Sequence, residues 1–205
     1  MFLVLIAVIA VVSFLALRKP ELIHKLSFSP YYIVENQQWY RFLSHVLVHR
    51  SIGHLLINLF VFYTFGKYVL SMFLGLKGAI GELWFYLLLI GAAIFSSVKG
   101  FAKHRDNPSY HAVGASGVVS AVLFSFVLFQ PLNSIYLFFI PIPIPAFIFG
   151  GLYLAYEYFM DKREGGRIAH DAHFYGAIFG ILFTIFLDFR ILPQFFKSIS
   201  EYIAS

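Results

Sequence analysis

The amino-acid sequence predicts an all-α membrane protein built as a bundle of six transmembrane helices. Of its 205 residues, 60% are hydrophobic and only 12% are charged, and the mean hydropathy is +0.80. Ordinary soluble domains do not combine so little charge with so much apolar surface. The apolar residues fall into six stretches separated by polar or proline-containing connections, which we interpret as six spans.

These six spans are expected to form one domain that covers residues 1–205. No small-residue cleavage pattern follows the first apolar run, so we interpret that run as a retained helix rather than a signal peptide. Pro141, Pro143 and Pro145 alternate along the connection before the fifth span, and three such prolines exclude a helix there. The predicted spans are residues 2–17, 54–73, 83–98, 112–130, 146–160 and 168–189.

The composition also excludes several kinds of site. The chain has no cysteine, so it has no disulfide, no thiolate metal site and no cysteine nucleophile. A zinc protease is not indicated, because the His-Glu-x-x-His motif is absent. The net charge of +5 is assigned to loops that face lipid headgroups rather than to nucleic acid, since no basic run is interleaved with aromatic residues. We expect membrane lipids as partners, and neither a metal nor an organic cofactor.

Polar residues occur near the start of three predicted spans. His54 opens the second span, Ser116 lies in the first turn or so of the fourth, and His173 lies in the first turns of the sixth. Even-numbered helices of an alternating bundle run in the same direction, so these three starts should lie at one face of the membrane. Because polar side chains are costly in lipid and tend to face a bundle interior or a water-filled cavity, the three residues predict a site.

Small residues favour close contact between the fourth and sixth spans. Gly176 and Gly180 lie on the stripe of the sixth span that carries His173, and their spacing lets a neighbouring backbone approach. The fourth span offers small residues around its serine, at Gly114, Ala115 and Gly117. On their own, such residues would equally indicate a helix contact without chemistry. If the two spans are neighbours, however, a histidine can reach a serine, which is the minimum apparatus for nucleophilic catalysis.

His54 and Asn58 add hydrogen-bond donors to this predicted site. They stand four residues apart, so both project from one face of the second span and could donate to a single point. Together with the backbone N–H of Ser116 they would form an oxyanion hole.

In these motifs the chain resembles the rhomboid family of intramembrane serine proteases, in its minimal six-helix form. The resemblance implies a Ser116–His173 dyad without a catalytic acid, with His54 and Asn58 polarising the scissile carbonyl. It further implies an endopeptidase that cleaves transmembrane segments of membrane proteins through an acyl-enzyme, with the second and fifth spans as a lateral substrate gate. The matching motifs are His54-x-x-x-Asn58, Gly114-Ala115-Ser116-Gly117 and Ala172-His173-x-x-Gly176-x-x-x-Gly180.

Two positions depart from the family pattern. Tyr40-Arg41 stands where members often have Trp-Arg. Ser120 stands one turn after Ser116, where many members have an aromatic ring against which the catalytic histidine packs, so the resemblance leaves open what orients His173. Asp171 is not expected to do so, because a residue two positions away on a helix points to another face.

Two other functions stay open at this point. A rhomboid-like protein could bind membrane clients without cutting them, although such a protein would be expected to lack the serine or the histidine. A haem protein is suggested by the helical spacing of His45 and His49. We prefer to interpret these two histidines as residues that structure the loop before the second span.

The distribution of basic residues bears on orientation. If the N-terminus is cytoplasmic, as the resemblance implies, 11 of the 15 basic residues lie on the outer side. The positive-inside rule predicts the opposite orientation. We expect an integral, multi-pass protein of a prokaryotic cell membrane.

Overall fold

The computed structural model describes residues 1–137, 140–163 and 169–204, and this part of the chain is mostly helical. Short 3-10 helices at His45–Leu47 and Gly78–Ile80 supplement the α-helices. The α-helices are Phe2–Arg18 (α1), Pro20–Leu26 (α2), Pro30–Asn36 (α3), Arg41–Ser44 (α4), Ile52–Lys77 (α5), Gly81–Phe95 (α6), Val98–His104 (α7), Ser116–Phe129 (α8), Ala146–Asp161 (α9), His170–Leu187 (α10) and Ile191–Ala204 (α11).

Six of these helices, α1, α5, α6, α8, α9 and α10, overlap the six predicted spans. By length and hydropathy, two helical stretches of the described chain could cross a membrane: Ile52–His104, which contains α5 to α7, and His170–Leu187. α1 and α8 are apolar but have only 17 and 14 residues. The six-span bundle therefore stays a prediction. Residue 168, where the sixth span was predicted to begin, lies outside the described residues.

The fourth predicted span begins as a helix four residues later than expected. Before α8, Ala112 pairs with Phe28 through two backbone hydrogen bonds of 2.8 and 3.0 Å, which form an isolated antiparallel bridge. This extended pairing keeps the backbone out of the helical region until Ser116. The serine consequently stands at the first position of a helix.

α8 is the central helix of the bundle. Every residue from Gly117 to Leu128 is buried. Its most extensive partner among the described helices is α10, and it also packs against α5, α6, α9 and α11. A helix that is apolar all round can be stable only when it is enclosed in this way.

Glycines bring the backbones of α8 and α10 into direct contact. A Cβ atom added at Gly176 would overlap the carbonyl of Gly117, and one added at Gly180 would overlap the carbonyl of Ala121. Both obstacles are main-chain atoms, which cannot move aside as a side chain can. The contact therefore fixes the separation of the two helices.

The connection between α1 and α5 is ordered around a buried arginine. The Nη1 atom of Arg41 donates hydrogen bonds to the carbonyl oxygens of His24 (2.8 Å) and Ser27 (2.7 Å), and its Nε atom donates to the side chain of Gln38 (2.7 Å). One guanidinium thus joins α2 to α4. In the Tyr40-Arg41 pair, the arginine therefore has the structural task of joining these segments.

At the opposite end of α8 from Ser116, the proline-rich connection is extended as predicted. Ser134–Leu137 (β1) and Ile140–Pro145 (β2) form an antiparallel pair in which Ser134 lies opposite Pro145. The chain then enters α9, which runs back toward the level of Ser116. The last turns of α9 therefore lie beside the first turns of α8 and α10.

Replacing Gly180 with alanine should destabilise the protein by about 1–3 kcal/mol, because the new methyl group forces α8 and α10 apart. Gly151 of α9 is the matched control, since a Cβ there meets nothing within 4 Å. Gly151→Ala should leave stability unchanged or raise it slightly. Thermal unfolding in one detergent measures both variants, and equal midpoints for the two would contradict the close backbone contact.

Candidate active site

Ser116 stands at the N-terminus of α8, where the backbone favours a negative charge. The first N–H groups of a helix have no intrahelical acceptor, and the helix dipole adds positive potential there. Gly114 provides the turn into this position with a φ of +121°. A Cβ at Gly114 would lie 2.7 Å from Cε1 of His54, so both conformation and space require glycine.

His49 holds the loop before the serine in place. The backbone N–H of Ala115 donates to Nε2 of His49 (3.2 Å), so the ring proton must be on Nδ1. Nδ1 lies 2.7 Å from the hydroxyl oxygen of Ser13, which in turn donates to the carbonyl of Leu47 (2.8 Å). This chain of hydrogen bonds ties α1 to the start of α8.

His45 has a similar task. Its carbonyl accepts the N–H of Gly114 (3.0 Å), and its Nδ1 lies 3.0 Å from the carbonyl oxygen of Arg41. Burial lowers the pKa of His45 to about 4 and the pKa of His49 to about 3, so both rings are neutral at neutral pH. These contacts agree with the loop-structuring interpretation. Both ring nitrogens of His49 are engaged, which leaves none for a haem iron.

The structure brings the predicted serine and histidine together. Nε2 of His173, in the first turns of α10, lies 2.7 Å from Oγ of Ser116. The backbone contact between Gly176 and Gly117 sets this distance, because Gly117 directly follows Ser116 and Gly176 lies about one turn after His173. The geometry is that of a hydroxyl hydrogen-bonded to a base.

Glu157 is a site residue that the sequence analysis missed. Its carboxylate is buried near the end of α9, with Oε1 3.0 Å from Nδ1 of His173 and Oε2 2.6 Å from Nδ1 of His170. The resemblance implied a dyad without an acid, whereas the structure places a carboxylate against the histidine. Asp171 does not take this place, because its Oδ1 accepts the N–H of Ala172.

A sequence signal for Glu157 did exist. The residue is a carboxylate within the apolar stretch 146–160, and an ionisable residue within a span usually marks a site. The starts of the even-numbered spans alone do not indicate it. The end of an odd-numbered span reaches the same level, because the helices alternate in direction.

His54 and Asn58 line the same cavity as Ser116. Ser51 caps α5 by accepting the N–H of His54 at 3.1 Å, which fixes the start of this helix. Nδ2 of Asn58 donates to the carbonyl of His54 (2.8 Å). A side-chain amide has two hydrogens, so one remains for a ligand in the cavity.

The cavity has a volume of about 1000 Å³ and lies between α5 and α9. Ser120 faces it one turn after Ser116, and its hydroxyl lies 2.8 Å from that of Tyr153 on α9. Tyr153 also lines the cavity, and its hydroxyl links α9 to α8.

One group of side chains has spacing that a metal ion could use. Single ligand atoms of Glu157, His170 and His173 lie within 4.8 Å of one another. The two imidazoles already donate to the two carboxylate oxygens, so hydrogen bonding accounts for the grouping. The expectation of no cofactor stays a prediction.

Comparison with known proteins identifies the family. A family model described as the Rhomboid domain matches residues 36–189, a range that contains the whole candidate site. The chain belongs to the rhomboid family. Rhomboids are integral membrane proteins, so this chain is one too.

Two proteins with similar sequences show how much of the chain is matched. "RHOMBOID-like protein 12, mitochondrial" of Arabidopsis thaliana is 31% identical over 137 residues, which are 63% of this chain and 40% of the relative. "Rhomboid protease GlpG" of Haemophilus influenzae is 29% identical over 163 residues, which are 79% of this chain and 76% of the relative. This rhomboid thus spans less than half the length of the plant protein. Because one relative is mitochondrial and the other bacterial, the prokaryotic location stays a prediction.

The neutral state of His49 predicts a dependence of stability on pH. The unfolded chain binds a proton at this residue near pH 6.5, whereas the folded protein does so only near pH 3. Between these values the unfolded state binds more protons, so stability falls as the pH falls through that window. The unfolding midpoint should therefore drop between pH 6.5 and pH 4.

His49→Gln tests this assignment, because glutamine does not titrate. The variant should be less stable than the wild type at pH 7, since Ala115 and Ser13 lose their partner, and its midpoint should fall less steeply on acidification. Curves that fall in parallel for the two proteins would show that His49 is not responsible.

Proposed function

We propose that this rhomboid is an intramembrane serine endopeptidase that cleaves transmembrane segments of membrane proteins. The contact of 2.7 Å between Oγ of Ser116 and Nε2 of His173 carries the proposal. It lies beside a large cavity at the start of a buried helix, where water and a peptide could both reach it. The similarity to a bacterial relative named as a protease supports the same function.

The proposed reaction uses a nucleophile, a base and an oxyanion hole. His173 accepts the Ser116 proton at Nε2 while the serine oxygen attacks the scissile carbonyl. The resulting oxyanion is bound by the Ser116 N–H, the imidazole of His54 and the free amide hydrogen of Asn58. His173 then gives its proton to the leaving amine, and an acyl-enzyme remains. Water, activated by the same histidine, hydrolyses this ester and restores the serine.

The lining of the cavity supports lateral entry of the substrate. Residues of both α5 and α9 line it, among them Asn58 and Tyr153. Ile57, on the α5 side, has 55% of its surface exposed, which suits contact with lipid or with a substrate helix. A helical substrate must unwind at the cleavage site, because its carbonyls are otherwise engaged in i to i−4 hydrogen bonds.

Six helices, α1, α5, α6, α8, α9 and α10, are proposed to cross the membrane as one domain. This assignment places the starts of α5, α8 and α10 and the end of α9 on the same side. The active site would then open toward that side of a prokaryotic cell membrane. Its partners would be transmembrane substrates and the surrounding lipids.

Covalent labelling with a fluorophosphonate probe tests the proposed nucleophile. Purified wild-type protein should be labelled, whereas Ser116→Ala and His173→Ala should not, because one lacks the attacking oxygen and the other its base. Ser71→Ala, an exposed serine of α5, is the matched control and should label like the wild type. A wild-type protein that stays unlabelled in several detergents and in lipid would instead favour a client-binding, inactive rhomboid.

Removal of either proposed side-chain donor should slow the chemical step. Asn58→Ala and His54→Ala should each lower kcat by about 10- to 1000-fold with little change in KM, because the hydrogen bond forms to the oxyanion rather than to the ground-state carbonyl. Asn133→Ala makes the same change at the opposite end of α8 and should retain activity. Loss of substrate affinity at constant kcat would contradict the oxyanion role.

A further inference from the structure

The buried carboxylate of Glu157 accepts hydrogen bonds from two imidazoles and is almost entirely shielded from solvent. Its side chain is only 5% exposed, with His173 at 3.0 Å from one oxygen and His170 at 2.6 Å from the other. Burial of a carboxylate is costly unless donors replace its water. Two imidazole N–H groups meet this need, and one of them belongs to the proposed catalytic base.

The hydrogen bonds on the two sides of His173 specify one tautomer. A carboxylate can only accept, so Nδ1 of His173 carries the proton and donates it to Glu157. Nε2 is then unprotonated and accepts from the Ser116 hydroxyl. This is the tautomer in which an imidazole can act as a base toward the serine.

We propose that Glu157 is a positioning residue that holds His173 in this tautomer and orientation, so that the site acts as a Ser116–His173–Glu157 triad. The role rests on the proposed serine-protease function. During attack the Ser116 proton moves to Nε2, and the proton on Nδ1 stays there. Glu157 remains ionised and stabilises the imidazolium next to it. No further reactant is needed.

His170 fixes the carboxylate in turn. With both oxygens engaged, Glu157 cannot rotate away from one histidine without also losing the other. His170 lies one turn before His173 on α10, so the two rings hold the carboxylate from one side of that helix. His173 contacts the serine and His170 holds the carboxylate, so the two residues have different tasks.

The bond between Ser120 and Tyr153 supports the same arrangement. Tyr153 lies one turn before Glu157 on α9, and its hydroxyl contacts Ser120 at 2.8 Å. A small residue at position 120 therefore lets α9 reach α8 at the level of the site. The carboxylate from α9, rather than a side chain at position 120, orients the histidine.

Two substitutions separate charge from shape at Glu157. Glu157→Gln keeps the volume but has a single carbonyl oxygen for two imidazole N–H groups, and it lacks the charge. Glu157→Asp keeps the charge on a shorter side chain. If Glu157 only fills space, Glu157→Gln should keep more activity than Glu157→Asp. If its charge positions His173, Glu157→Asp should keep more activity than Glu157→Gln. Glu82→Gln is the matched control, because Glu82 is a partly exposed glutamate on α6 paired with the N-terminus.

The rate of fluorophosphonate labelling is the first readout. Glu157→Gln should be slower than the wild type by up to about 10⁴-fold, Glu157→Asp should recover part of that loss, and Glu82→Gln should be unchanged. Wild-type labelling with an equal rate in Glu157→Gln would overturn the positioning role and leave the protease proposal standing. An unlabelled wild type would overturn both.

The tautomer of His173 is the second readout, and it needs no variant of Glu157. Nitrogen NMR of protein labelled with 15N-histidine, with His173→Ala used for assignment, should show a protonated Nδ1 and an unprotonated Nε2 in the wild type. The opposite tautomer would overturn the positioning role even if Glu157→Gln fails to fold.

Discussion

The backbone contact between α8 and α10 is the constraint on which the rest of the structure depends. Carbonyl groups of Gly117 and Ala121 lie where side chains of Gly176 and Gly180 would otherwise be. With no side chain between the helices, their separation is set by main-chain atoms, which are much less adaptable than rotamers. The distance from Ser116 to His173 follows from this separation.

A second constraint comes from the direction of the helices. The end of α9 lies at the same level as the starts of α5, α8 and α10. Each of these four helix ends contributes a polar residue to one cavity. In an apolar bundle these residues would be costly if they were separate, because each would lack a hydrogen-bond partner. Together they satisfy one another, as Glu157 does with its two histidines. A serine paired with a histidine can thus be maintained within a hydrophobic protein.

The sequence predicted the helical character, the approximate position of six apolar helices and the residues around Ser116 and His173. The structure confirms the mostly helical character. Features of this kind can be inferred from a sequence because span length, glycine spacing and polar residues in apolar stretches have direct physical causes. The start of α8 was not predictable to the residue, since the bridge between Phe28 and Ala112 joins segments distant in the chain.

Tertiary contacts of single side chains were harder to anticipate. The chain of hydrogen bonds from Ser13 through His49 to Ala115 joins three segments that are distant in the sequence, and no local pattern indicates it. Glu157 was visible as a carboxylate in an apolar helix, but its partner could be identified only by placing the end of α9 beside the start of α10. The partner of Glu157 depends on the direction in which each helix runs, and not on the spacing of residues within one helix.

Cleavage of a single-span substrate by the purified protein in lipid vesicles tests the central claim most directly. Mass spectrometry of the products should reveal one cut near an end of the transmembrane segment with the wild type, and no cut with Ser116→Ala reconstituted at the same density. If the Ser116→Ala protein produces the same fragments, the serine is not the nucleophile and the proposed mechanism is wrong.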